Sequence, residues 1–315
     1  MSPGTLVRGR LADHPLWSRA LADARLGARL LQPVIVSARV EDRERVPDAP
    51  WLERLSITEL VRDARSATSA GLAGLLIFGM SDRKDENAML ASERDHVVTR
   101  AIHAVKDAAP DLALATDVCV CAYTSHGQCV LFKEGGADVE GTLARLAEIA
   151  VVHADAGADL LVPSGMIDGT TRALRSALAA VGRDVPIAPA LKLESPLYTS
   201  HRRAVEAVPI AERAVPLIDP ADADAVRARA LREFASGADA VVVKPGLVAL
   251  DHVVRVAASA DRPVISYITS DEHALYANNE ALPDGLVLER EGILAARRAG
   301  ADFVISYGAL AAAES

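Results

Sequence analysis

Residues 237–246 read Gly-Ala-Asp-Ala-Val-Val-Val-Lys-Pro-Gly. The stretch before them, 221–236, is rich in Ala and Arg with helical spacing. A glycine at this point suits the left-handed position that ends a helix. The apolar run that follows, without alternation, suits a parallel strand buried on both faces. The same phrase recurs: Gly157-Ala158-Asp159 leads into LLVPSG and Gly300-Ala301-Asp302 into FVISYG, while Gly71-Leu72-Ala73-Gly74 leads into LLIFG.

Four further runs, VIVS (34–37), LALATDVCV (112–120), PIAPALK (186–192) and PVISYIT (263–269), bring the strands to eight. Helical segments such as 140–156 lie between them. Eight alternating strand–helix units in about 280 residues describe an α/β protein of the (β/α)8 TIM barrel type. The alternative is a doubly wound open sheet, but no Gly-x-Gly-x-x-Gly follows an early strand. The expected organisation is an N-terminal arm with a short helix, 1–32, and a catalytic barrel domain, 33–315.

Composition narrows the function. The chain has 315 residues, half of them hydrophobic, and a net charge of −9, which argues against a nucleic-acid partner. Three grouped cysteines do not make a disulfide framework. The N-terminal residues lack the apolar core of a signal peptide, and no run of about 18 apolar residues offers a membrane span. A cytoplasmic enzyme is expected.

All three cysteines fall within residues 119–129 of TDVCVCAYTSHGQC (116–129). If the apolar run is a strand, Cys119 and Cys121 leave one face of it. Cys129 can fold back across the loop at Gly127 to close a three-sulfur cup. Three thiolates with an open fourth position form a zinc site that admits substrate or water. The plainer alternative, small buried hydrophobes, leaves Cys129 unexplained.

In a barrel the chemistry sits at the C-terminal strand ends. Asp117, Cys119 and Cys121 end strand three, Lys192 strand five, Lys244 strand six, Ser270 strand seven and Tyr307 strand eight. A lysine closing an apolar strand is costly unless paired. Each alone could be a salt bridge, but two on adjacent strands point into one cavity. Repulsion and desolvation lower a lysine pKa, and the neutral amine is the nucleophile that forms Schiff bases.

These phrases, with IFG…KDENA (77–88), RAIHAVKDAAPDLALATDVCVCAYTSHGQC (100–129), AGADLLVPSGMIDG (156–169), VVVKPGLVALD (241–251) and ISYGALA (305–311), resemble the porphobilinogen synthase (5-aminolevulinate dehydratase) family from about residue 30 to 312. The resemblance implies a zinc-dependent hydro-lyase of tetrapyrrole biosynthesis that condenses two 5-aminolevulinate molecules into a pyrrole with loss of two waters. It implies a homo-oligomer, octamer or dimer. Lys244 would form the Schiff base with the propionate-side substrate and Lys192 with the acetate-side one. Cys119, Cys121 and Cys129 match the zinc triad, one ion per chain. Asp117 matches a proton-transferring carboxylate. Ser270 and Tyr307 match the hydroxyls that bind the propionate-side carboxylate. Arg202, and by a looser match Arg213, would grip the acetate-side one. Arg229 stands where magnesium-stimulated relatives carry a glutamate, so no Mg²⁺ stimulation is expected.

The chain also departs from the family. Gly165 and Thr170 replace an acid and a base. Pro216 and Leu217 stand where the lid has Tyr-Gln. Ser270-Asp271-Glu272-His273 replaces Ser-Gly-Glu-Tyr, and Gln128 and Val130 flank Cys129 where His and Gly are usual. Either these are neutral, or the protein is a divergent paralogue applying the same machinery to a different amino-ketone. A metal-free Schiff-base aldolase and a non-catalytic barrel are the remaining alternatives. His126 reads as a partner of the zinc cysteines or a solvated loop residue, and His201 is equally open. His153 reads as structural, and Asp82, Lys84 and Asp85 as a solvated charge run.

Overall fold

The computed structural model describes residues 9–134, 136–277 and 285–314, apart from the Leu286 side chain. Eight parallel strands form the barrel: Leu30–Ser37, Gly74–Met80, Ala113–Val118, Leu160–Pro163, Ala190–Lys192, Val241–Lys244, Val264–Tyr267 and Phe303–Ile305. Numbered one to eight along the chain, they run 4-3-2-1-8-7-6-5 in the sheet. A parallel bridge between Leu161 and Ile187 joins strand four to the stretch entering strand five and closes the ring. Strands four, six, seven and eight are buried at every residue, as a run without alternation demands.

Helices pack outside this ring. Residues 57–69 are typical: the Ser56 side chain accepts from Glu59 N and starts the helix, and Leu60, Ala64 and Ala67 recur at one-turn intervals on its buried face. Each fully buried aliphatic side chain contributes about 1.5–3 kcal/mol by leaving water.

The Gly-Ala-Asp repeat has a specific structural role. Gly157, Gly237 and Gly300 take φ of 106°, 101° and 109° at helix ends. The aspartate then binds a neighbouring strand twice. Asp159 N donates to Leu114 O (2.8 Å) and its carboxylate accepts from Leu114 N (2.7 Å). Asp239 does the same with Ile187 (2.8 and 2.9 Å), and Asp302 with Val264 (2.7 and 2.9 Å). These stitches sit at the N-terminal ends of the strands, opposite the expected chemistry.

Strand one starts at Leu30, before the expected boundary at residue 33. Helices Arg10–Asp13 and Pro15–Ala22 precede it, and residues 1–8 of the expected arm lie outside the described residues. The buried Trp17 indole donates to Asp159 O (2.8 Å) and meets Phe303 edge-on, so this part covers the barrel floor of its own chain. No helix among the described residues is long and apolar enough to cross a membrane.

One local expectation is corrected. Strand three ends at Val118, and Cys119 and Cys121 lie in the turn beyond it, where Tyr123 N and Thr124 N both bond Val120 O. The two sulfurs are brought together by this turn and not by strand alternation.

Candidate active site

The C-terminal mouth of the barrel holds a chamber lined by Asp117, Cys121, Cys129, Lys192, Arg202 and Lys244, with Phe78, Ser164, Tyr198 and His201 completing its wall. Lys192 and Lys244 close adjacent strands in direct register. Their exposures are 7% and 8%. Neither ammonium, nor the Arg202 guanidinium, forms an ion pair with a carboxylate among the described residues. Burial, and then the Lys192 charge, lower the Lys244 pKa to about 7. Its Nζ lies 4.6 Å from the Tyr267 ring centre, where the π face offers a cation a weak partner.

Asp117 faces both lysines from strand three. Desolvation raises its pKa to about 6, against the pull of the Ser164 hydroxyl and the two lysines. Its Oδ1 is buried without a hydrogen-bond partner among the described residues, an acceptor left free inside the chamber.

The Sγ atoms of Cys119, Cys121 and Cys129 lie within 4.8 Å of one another, with Cys119 and Cys121 3.3 Å apart. Three sulfurs on one ion at about 2.3 Å each would sit about 3.8 Å apart, so the cup fits a metal of that size after small adjustments. Hydrogen bonds to the Cys121 and Cys129 sulfurs, and then burial, push Cys119 well up. Cys129 is pulled well down, because both other thiols hydrogen-bond to it and Lys192 and Arg202 face it. Among the described residues this is the one His, Cys, Asp or Glu trio close enough to share an ion.

Other expected residues stand further out. The Tyr307 hydroxyl lies 3.2 Å from His201 Nδ1 and is hydrogen-bonded to Tyr267, behind the chamber wall and outside its lining. Ser270 opens the helix Ser270–Ala277 just beyond strand seven, and its hydroxyl is 3.5 Å from Asp271. Arg213 lies outside the chamber lining, with Nη2 3.9 Å from Glu194 and Nη1 buried without a partner among the described residues. Arg229 is bonded to Asp168 and, at 2.8 Å, to Glu233 of its own chain. His153 is buried against Thr116 (3.0 Å), a structural role. His126 is half-buried and its Nδ1 accepts from Gln128 N, so it is not a solvated loop residue.

Three supporting residues escaped sequence reasoning. The Tyr198 hydroxyl lies 2.9 Å from both Leu193 O and Lys244 O, tying strands five and six together where the lysines emerge. Tyr267 lies beneath Lys244; the repeat of VISY at 264–267 and 304–307 was the signal that could have found it. Glu272, 1% exposed, accepts from Gly246 N (3.0 Å), Leu247 N (2.7 Å) and Thr269 N (2.7 Å), fixing the loop that leaves Lys244.

Fold and chamber define a lysine-bearing TIM barrel, and comparison with known proteins narrows the class. The family profile for delta-aminolevulinic acid dehydratase matches residues 8–315. The delta-aminolevulinic acid dehydratase of Methanothermobacter thermautotrophicus is 36% identical over 307 residues, covering 95% of this chain and 93% of the relative. That of Escherichia coli is 32% identical over 289 residues, covering 90% and 89%. The Toxoplasma gondii delta-aminolevulinic acid dehydratase (porphobilinogen synthase), solved with its reaction product porphobilinogen, superposes with a TM-score of 0.87 at 28% identity, covering 98% of this chain and 91% of that one. The chain belongs to the delta-aminolevulinic acid dehydratase family.

Proposed function

We propose that this protein condenses two molecules of 5-aminolevulinate into porphobilinogen with loss of two waters. The observation that carries the reading is the in-register pair of buried, unpaired lysines beside a three-thiol cup. Family membership and the activity named for the relatives support it.

Lys244 and Lys192 each add their neutral amine to a substrate ketone and expel one water, leaving an imine. The imine acidifies the neighbouring carbon, and Asp117, with its free oxygen, takes a proton there so that the carbon–carbon bond can form. Carbon attack leaves one lysine as an amine on the new bond. The amino group of that substrate displaces the lysine on the other, closing the ring, and the remaining lysine leaves by elimination as a ring proton is lost, so that both return as free amines. Arg202 and Arg213 hold the acetate-side carboxylate, and Ser270 and Tyr307 the propionate-side one. Cys119, Cys121 and Cys129 would hold one Zn²⁺, which supplies Lewis-acid polarisation when bound. The active form is a homo-oligomer in the cytoplasm, with the residues before strand one as its arm.

A second reading rests on Gly165 and on Pro216 with Leu217. Gly165 offers no side chain beside Cys129, and Pro216 and Leu217 line a separate cavity with Arg229 and Arg232. On this reading a different amino-ketone takes the second position. Incubation with 5-aminolevulinate and detection of pyrrole with Ehrlich's reagent tests both. Pyrrole formation supports the first, and its absence with intact imine trapping at Lys244 supports the second.

A further inference from the structure

The residues between helices Thr199–Ala204 and Ala225–Ala235 form no helix or strand beyond a single bridge at Ile218. Ala211, Glu212 and Ala214 are exposed, and Ile210 is 79% exposed, so apolar burial does little to hold the part that carries Arg213. What holds it is the loop bearing the last cysteine. Gln128 Nε2 donates to Glu212 O (2.7 Å) and Ala211 O (3.4 Å), and Ala214 N donates to Gln128 Oε1 (3.2 Å). One carboxamide thus grips the backbone on both sides of Arg213. Two neighbours reinforce the contact. Ile210 N donates to His126 O (3.3 Å), and at Gly127 a Cβ would come within 2.5 Å of Val208 O.

Gln128 is itself fixed. It is 3% exposed, its N–H donates to His126 Nδ1 (3.1 Å), and its carbonyl accepts from the Thr124 hydroxyl (3.2 Å). The next residue is Cys129, whose sulfur belongs to the cup. Whatever fixes Cys129 therefore fixes the backbone from which the carboxamide reaches out.

We propose that Gln128 is a positioning residue, a latch that makes the filling of the thiol cup and the ordering of the Arg213 segment one coupled event. The inference rests on reading the three cysteines as metal ligands and Arg213 as a carboxylate grip. Coupling of this kind is reciprocal: an ion that tightens the segment is itself held more tightly when the segment is closed. Lewis acid and guanidinium then become available to the second substrate together.

The Arg213–Ala214 peptide bond lies inside the latch, so trypsin reads its state without any turnover. In the wild-type chain, loading with Zn²⁺ should slow cleavage after Arg213 by roughly tenfold, the effect of a few hydrogen bonds made or lost. Gln128→Leu keeps the bulk and should cleave fast with or without Zn²⁺. Gln128→Glu is the same shape but turns acceptors toward the carbonyls of Ala211 and Glu212, and should behave like Gln128→Leu. Ile210→Pro deletes the N–H donor from the opposite side of the contact and should also weaken the zinc protection, which keeps the test alive if changes at Gln128 disturb folding. In the pyrrole assay Gln128→Leu should raise half-saturation roughly tenfold while the maximal rate stays within about twofold. Equal zinc protection in wild type and Gln128→Leu overturns the latch, as does wild-type behaviour of Gln128→Glu. A wild-type chain that binds Zn²⁺ with no change in cleavage overturns the coupling alone. One that takes up no Zn²⁺ overturns the metal reading as well.

Discussion

Lys192 and Lys244 face each other in register across strands five and six, each more than nine-tenths buried, with no carboxylate bound to either ammonium among the described residues. The Lys192 charge held this way opposes protonation of Lys244. The sign follows directly: burial lowers the Lys244 pKa first and the Lys192 charge lowers it further, whereas the Asp117 charge works in the opposite sense.

Borohydride trapping of a keto acid on Lys244 should therefore increase as pH rises through about 7. Lys192→Met removes a cation, so the midpoint should move to higher pH. Asp117→Asn removes an anion, so it should move lower. An unchanged midpoint in Lys192→Met would show that the pair is not electrostatically coupled.

Lys244→Met should abolish trapping of the propionate-side substrate at that strand end and yet stabilise the fold at neutral pH. The folded-state pKa lies below the ordinary value of 10.5, so protonation opposes folding and stability is lost as pH falls from about 10.5 toward 7. A thermal midpoint at pH 7 below that of wild type would contradict this.

Purified protein should contain about one zinc per chain, with Cys129→Ala lowering zinc content and pyrrole formation together. Chelation should do the same to wild type, and added Zn²⁺ should restore it. Full activity in a metal-free preparation would refute the site.

Magnesium should leave the rate unchanged. The Arg229 guanidinium is engaged by Asp168 and Glu233, and it cannot ligate Mg²⁺. A several-fold rise in rate at millimolar Mg²⁺ would overturn this expectation.

At Gly165 a Cβ would lie 3.4 Å from Cys129 O and 3.6 Å from Cys129 Cβ, nearly ordinary contact distances, so the position can accept a side chain. With no acid there, the second 5-aminolevulinate should bind weakly, since each lost hydrogen-bond partner costs about 1–3 kcal/mol. Gly165→Asp should fold normally and lower half-saturation for the second molecule. Tight binding at both positions in wild type would make the glycine neutral.

Sequence and structure agree most where one physical rule suffices. A buried parallel strand must be apolar throughout, so a lysine at its end is conspicuous, and Lys192 and Lys244 stand where the pattern puts them. The cysteines were legible as a cluster, but the turn at Val120 that converges them depends on backbone hydrogen bonds that periodicity does not encode. Tyr198, Glu272 and Gln128 stayed hidden for a related reason. Each acts by bonding the backbone of a distant segment, and such a bond leaves no mark on the side-chain pattern of the segment it holds.

The paired bonds of Asp159, Asp239 and Asp302 lie at one end of the strands, while every group proposed to touch substrate lies at the other. Asp239→Ala should lower stability by about 3 kcal/mol, because it takes the buried carboxylate from Arg175 and orphans the Ile187 amide, and it should leave imine formation at Lys244 intact. Foldability and catalysis then draw on separate sets of residues. The rim can accumulate changes such as Gly165, Pro216 and Gln128 without endangering the scaffold, so the floor gives evolution a free hand at the mouth. A lineage built this way can try out new substrates long before it has to invent a new fold.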